Sequence, residues 1–328
     1  MKQLHSVCRA ICLHASFGIA LMAPVAAHAA DAWRYGVVEA KGDAGLIFMP
    51  SRFGDKYGLD IEMVEFTSST TPVKALISGD IDAFTTSPGV ALVAMSRNAA
   101  LKFVGCNWQG ATYTLYGAAD IKTMADLKGQ SIGVSGPGSM PDLFAREVLS
   151  SGGVAADDVT FANAGGGSDR FRALIAGVVK ATATTSEFEP EAEKRGFTIL
   201  ARAHEAMPMF SRNCIVTTAK TVAERRDQLV RFLAANMDGY DYALTHRDQT
   251  NALAREIAEL PEGDTSAEYI YDEVIRQKSI DPLLTIPVDR LQWIEDMLAR
   301  HGVVDEKVDV SAFVDDGPRT DALKIRKP

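Results

Sequence analysis

Cysteine is scarce: 4 in 328 residues, and two of these, Cys8 and Cys12, stand close to the N-terminus. The other two, Cys106 and Cys214, lie too far apart in sequence to form a metal cluster. They either bond to each other or stand as two separate small buried residues at strand ends, and spacing alone does not decide. Histidine is thin as well; His204, His246 and His301 show no metal-ligand spacing. A surplus of positive charge is missing, the formal net charge being -9, which excludes a nucleic-acid binder or a protein drawn to anionic membranes. Long apolar runs are missing beyond the N-terminus, so no direct membrane insertion is expected. Paired catalytic carboxylates and a nucleophile with its base are missing too. Ser87 lacks a Gly-x-Ser-x-Gly frame. The expectation is therefore no catalytic residue, no metal and no cofactor.

What is present begins with an export signal. Lys2 and Arg9 precede an apolar run over 15–25 and the small-x-small sequence Ala27-His28-Ala29, which places a signal peptide at 1–29 and a cut before Ala30. No cysteine follows the cut, so no lipid anchor is indicated. Without the leader's 2 cations the charge is -9 minus 2, or -11. That balance keeps an exported protein dissolved, and it does not bar an anionic ligand, because local donors outweigh distant, screened charges. About 300 residues remain, enough for two lobes with a core each.

From Trp33 onward short apolar runs alternate with helical patterns, the mark of α/β architecture. Strands are expected over 33–38, 61–66 and 81–85, with helices over 46–57, from Pro72, and over 90–95. A second unit repeats the scheme: strands over 131–135, 159–163, 180–185 and 197–201, with helices after residues 139 and 169 and over 190–195. A strand over 213–218, a helix over 222–244 and mostly helical text follow, and an acidic tail over 305–316 should wrap the surface. Short strands near 112–118 and 209–214 are expected to join the two units. Each strand of the first unit ends in a loop rich in Gly, Ser or Thr. In an open α/β sheet ligands bind beyond the carboxyl ends of the strands, so these loops share a rim. Most telling is Gly133-Val134-Ser135-Gly136-Pro137-Gly138-Ser139-Met140-Pro141, a strand, a small-residue loop and a proline-started helix. Such a loop lets backbone amides approach a ligand while the helix aims its positive end at it.

The stretches 33–66, Ala75-Leu76-Ile77-Ser78-Gly79-Asp80-Ile81-Asp82-Ala83, Ala125-Asp126-Leu127-Lys128-Gly129-Gln130-Ser131-Ile132-Gly133-Val134 and Phe188-Glu189-Pro190 resemble periplasmic solute-binding proteins of ABC importers. The branch they resemble is that of the nitrate, sulfonate, taurine and thiamine-pyrimidine-precursor binders. The resemblance implies the type II periplasmic-binding fold: two lobes of parallel-type sheet covered by helices, with a hinged ligand cleft between them. Lobe 1 would comprise 30–116 and 210–328, and lobe 2 would comprise 117–209. It also implies a monomer in the periplasm that takes a small-molecule ligand, anionic and organic, to an ABC permease and its ATPase.

By position, the resemblance places Lys41, Gly42, Ser68, Ser69, Thr70, Ser87, Ser135, Gly138 and Ser139 around the cleft. Phe188 and Glu189 stand where sulfonate and taurine binders often carry Trp-Asp. Phe188 is expected either to cover a ligand or to pack in a core. Glu189 would either accept from an amine or hydroxyl or merely begin a helix. Lys41, Arg170, Arg172 and Arg212 are candidate counter-charges for an anion, with Lys41 favoured, and Trp108 and Tyr113 are candidate apolar walls. Two other functions fit the same branch: a thiamine-pyrimidine-type synthase, disfavoured by the cysteine count, and a periplasmic sensory module.

Overall fold

The structure, a computed structural model, describes residues 30–38, 40–68 and 70–326. The expected leader 1–29 and the candidate site residue Ser69 lie outside the described residues. The chain lays down β1 (Asp31–Val38), α1 (Ala44–Phe48), β2 (Leu59–Phe66), α2 (Thr71–Ser78), β3 (Ala83–Thr86), α3 (Pro88–Met95) and β4 (Leu101–Trp108). Then come β5 (Tyr113–Gly117), β6 (Ser131–Val134), α4 (Met140–Ser151), β7 (Thr160–Asn163), α5 (Gly167–Ile175), β8 (Ala181–Thr185), α6 (Glu189–Lys194), β9 (Thr198–Arg202) and α7 (Ala203–Ala206). The last strand, β10 (Asn213–Thr218), leads into α8 (Ala219–Glu224), α9 (Arg226–Thr245), α10 (Arg247–Ile257), α11 (Ser266–Gln277), α12 (Val288–Arg300) and α13 (Gly317–Ile325).

Two five-stranded sheets result, ordered β2-β1-β3-β10-β4 and β7-β6-β8-β5-β9. In each, three strands run parallel, as βαβ units require. The other two pair antiparallel, so both sheets are mixed. The antiparallel pairs come from the crossings. β4 runs on through residues 109–112 into β5, and the chain returns from β9 through α7 to β10. The two paths lie side by side, β4 against β10 and β5 against β9. β5 thus lies wholly within the second sheet.

Cys106 and Cys214 form a disulfide between β4 and β10, at an irregularity in their register where two residues of β4 oppose one of β10. That bulge also explains why β4 does not stand out as a strand in the sequence: Gly105 and Asn107 interrupt its apolar run. The expected helix over 46–57 stops at Phe48 and continues as 3-10 turns, since Pro50 takes away a helical donor and Gly54 follows. The expected helix over 222–244 is two helices, broken at Arg225. The acidic tail docks on the edge of β4, the Asp315 amide donating to the Phe103 carbonyl at 2.9 Å.

The halves meet tightly on one side of the crossing. A Cβ added to Gly89 of α3 would lie 2.4 Å from the Gly138 carbonyl ahead of α4, so only glycine permits this approach. Leu92, Leu143, Phe144 and Leu298, from α3, α4 and α12, share one buried cluster there. At its rim His301, just past the end of α12, meets Glu147 of α4 at 2.9 Å.

Candidate functional site

Loops at the carboxyl ends of β1, β3, β6 and β8 converge between the two sheets on a cavity of about 80 Å³. That is room for several waters or one small solute. From the first sheet come Lys41, Asp43, Thr85, Thr86 and Ser87; from the second come Tyr113, Ser135, Ser168, Arg170, Thr185 and Glu187; Arg212 enters from the returning crossing.

Arg170 sits in the first turn of α5, whose apolar face carries Phe171 and Leu174 into the core. Its Nε donates to the Ala183 carbonyl at 2.8 Å and its Nη1 to the Gly165 carbonyl at 2.7 Å and to Ser135 Oγ. It is 2 % exposed, and no ion pair to it exists among the described residues. The adjacent Asp169 pairs with Arg172 on the surface. Burial holds the Arg170 guanidinium below its ordinary value, yet at any working pH it stays charged. A buried, uncompensated cation is costly, and an anion beside it would remove the cost.

Arg212 is also buried, but it is compensated. Its Nη2 pairs with Asp43, its Nη1 donates to Thr112 Oγ1 at 3.0 Å, and its guanidinium lies 3.9 Å over the Trp108 ring. Burial alone would lower its pKa; the charges of Asp43, Tyr113 and Glu187 outweigh that and raise it. Glu187 is 6 % exposed and its Oε2 has no hydrogen-bond partner. Burial first and the Asp43 charge second push its pKa up to about 8, against the pull of Arg212, the Thr185 hydroxyl and the Gly42 amide.

The hydroxyls show the same incompleteness. Ser87 is the N-cap of α3, a position where serine normally bonds a backbone amide of the first turn. No such bond forms, and both Ser87 Oγ and Thr86 Oγ1 are buried without partners.

The structure distributes the expected site residues unevenly. Lys41, Ser87 and Ser135 line the cavity. Gly42 stands beside it, its Cα against the Ser266 carbonyl, which a Cβ would meet at 2.6 Å. Ser68 and Thr70 bond each other at 3.1 Å outside the lining. The Gly138 amide, which the loop pattern would offer to an anion, is taken by Asp142 at 2.9 Å. Ser139 holds the N-cap position of α4 without a side-chain bond to it, its buried hydroxyl unpartnered and also outside the lining. Phe188 stacks on Phe171 at 4.6 Å and lines a neighbouring groove of about 660 Å³. Glu189 is occupied by Arg202 at 2.8 Å, Thr114 at 2.6 Å and Tyr269 at 3.3 Å. Sequence reasoning did not single out Asp43, Thr85, Thr86 or Glu187, and it ranked Arg170 and Arg212 behind Lys41. For Arg170 a signal existed, namely its place in the first turn after a triple glycine.

Among the described residues no cluster of three or more His, Cys, Asp or Glu could hold a metal, and no helix is long and apolar enough to cross a membrane.

Residues 53–250 match the family described as NMT1/THI5 like. Over 130 residues, 40% of this chain, the sequence is 32% identical to a protein of Brucella abortus strain 2308 named as a binding protein, and the match spans 38% of that relative's length. Among solved structures, the alkanesulfonate-binding protein SsuA of Xanthomonas axonopodis pv. citri, bound to MOPS, superposes with a TM-score of 0.72 at 18% identity, covering 86% of this chain and 97% of that one. The periplasmic nitrate-binding protein NrtA of Synechocystis PCC 6803 gives 0.74 at 14% identity, with 90% and 89% covered. At such identities the likeness establishes the fold, the periplasmic-binding architecture of two lobes about a cleft.

Proposed function

The chain belongs to the NMT1/THI5-like family, and from that premise we propose that it is the solute-binding component of an ABC importer, capturing a small anionic organic solute between its lobes. The observation that carries the reading is Arg170: a guanidinium buried in the cleft with carbonyls and hydroxyls around it and no carboxylate paired to it. Thr86 and Ser87 carry unpartnered hydroxyls in the same lining, and Lys41 stands there too. The solute class is a sulfonate, a taurine-like compound or an aromatic or other carboxylic acid. The SsuA and NrtA likeness supports an anion, and the small cavity supports a compact one.

The residues that cross between sheets, 109–112 and 203–212, would act as the hinge, and a solute touching both walls would favour the closed state. The protein would work as a monomer in the periplasm, delivering the closed complex to a permease driven by its ATPase. Both cysteines beyond the leader are joined in one disulfide, which supports solute capture over a synthase that uses cysteine.

The test is a thermal-shift panel of sulfonates, aromatic acids, inorganic anions and pyrimidines on the purified protein, with each hit assayed for turnover. A stabilising anion that is not consumed supports the reading. Stabilisation by neutral pyrimidines alone, or conversion of the hit, overturns it. ATPase stimulation of the cognate permease by the loaded protein separates import from sensing.

A further inference from the structure

Two carboxylates in the cleft, Asp43 and Glu187, face one guanidinium. Asp43 holds Arg212 in a direct ion pair, and Glu187 feels what attraction is left. Around Glu187 stand Asp43 and Lys41 from the first-sheet loop, Arg212 from the crossing, and Arg170, Tyr113 and Tyr116 from the second sheet; on its other side it borders the groove lined by Arg172, Glu191, Lys194, Arg195, Glu259 and Asp264, and Glu273 of α11 bonds the preceding Ser186. An anion held by Arg170 would add a further negative charge to a cavity of about 80 Å³. Beside an ionised Glu187 it would be repelled at close range in a low dielectric. Beside a neutral Glu187 it would find a hydrogen-bond donor, at a carboxyl whose Oε2 has no partner.

We propose that Glu187 enters the occupied cleft as the neutral acid and donates its carboxyl hydrogen to the oxyanion of the solute, so that capture from alkaline solution takes up as much as one proton. The balance is simple: an ionised Glu187, one proton and the anion give a neutral carboxyl hydrogen-bonded to the anion, with no covalent bond to the solute made or broken. The proposal rests on the anion reading above. A carboxyl pushed up to about 8 by burial and by Asp43 supports it, since at neutral pH the proton is already largely in place. The same proton makes the cleft selective for groups that accept a hydrogen bond there. A solute presenting an ammonium to Glu187 would instead hold the carboxyl ionised, and capture would release the proton.

The test is calorimetric titration of the purified protein with ethanesulfonate, and in parallel with nitrate, from pH 6 to 9 in buffers of different ionisation enthalpy. Proton uptake should rise toward one per molecule by pH 9, with affinity about tenfold weaker at pH 9 than at pH 7. Glu187→Ala should weaken binding at pH 7 by at least tenfold. Glu187→Gln, which restores an N–H donor, should recover part of that loss and show neither uptake nor pH dependence. Binding by the natural sequence with no uptake, or with proton release, overturns the proposal and leaves the anion reading standing. Binding of neither probe at any pH overturns the anion reading, and the proposal falls with it.

Discussion

The carboxylate of Asp43 and the guanidinium of Arg212, 169 residues apart in sequence, form a buried ion pair at the point where the chain returns from the second sheet to the first. The pair ties the loop after β1 to the crossing, and the Trp108 ring covers its cationic side. Breaking a buried pair by removing one partner leaves an uncompensated charge. Asp43→Ala should therefore cost about 3–5 kcal/mol, read as a lower midpoint in urea unfolding. A loss under 1 kcal/mol would mean that Glu187 substitutes for Asp43 at no cost.

Arg170 predicts the opposite pattern. Its charge has no ion-pair partner among the described residues, so Arg170→Met should leave the ligand-free protein as stable or more stable. The same substitution should abolish the thermal shift given by any anion. A variant that melts lower yet still responds to the anion would show that Arg170 is structural only.

Glu187 gives stability a pH dependence. Its folded pKa, raised to about 8 by burial and by Asp43, lies above the ordinary carboxylate value of an unfolded chain. Such a group contributes stability that is fully present below the unfolded value and is lost as pH rises through the folded one. Melting of the ligand-free natural protein should therefore fall relative to Glu187→Gln between about pH 4.5 and 8 and run parallel to it above. A constant difference from pH 4 to 9 would show that Glu187 is ionised throughout.

The disulfide closes a separation of 108 residues. On the chain-entropy account a loop of that size contributes about 4–5 kcal/mol. Replacing both Cys106 and Cys214 by Ser should lower the melting temperature by on the order of 10 °C. Reductant should lower that of the natural protein comparably and leave the double variant unmoved.

Closure is testable at Gly89. A Cβ there meets the Gly138 carbonyl at 2.4 Å, backbone against backbone across the two halves. Gly89→Ala should hold the halves apart, enlarging the radius seen by small-angle scattering and weakening solute binding about tenfold or more, since contacts to one wall would be lost. Unchanged scattering and affinity would show that the halves close without this contact.

Much of the architecture was legible in the sequence because strand and helix periods are local. The strand over 213–218 coincides with β10, and α4 starts beside the proline that marks it. Two departures are local in cause, the bulge that hides β4 and Pro50 within the expected first helix, whereas the break at Arg225 accompanies its bonds to Asp82 and to the Ala32 carbonyl, far off in sequence. The site was less legible because burial is a tertiary property. Nothing in the string Gly167-Ser168-Asp169-Arg170 says that Arg170 will turn onto the β8 backbone while Arg172 faces solvent. Nothing near Gly138 says that Asp142 will take its amide, or near Glu189 that Arg202 and Tyr269 will occupy the carboxylate.

The place of β10 in the first sheet sets an order of assembly. Residues 113–202 hold every strand of the second sheet in one unbroken stretch, whereas the first sheet keeps a slot between β3 and β4 that only residues 213–218 can fill. As the chain emerges, β1 to β4 must wait with two strand edges bare while the whole second sheet is delivered, and the cysteine partner of Cys106 arrives only with the strand that closes the gap. Early oxidation of Cys106 to the right partner is therefore impossible, and the first lobe is the late-folding one, open to pairing with other chains until its middle strand arrives.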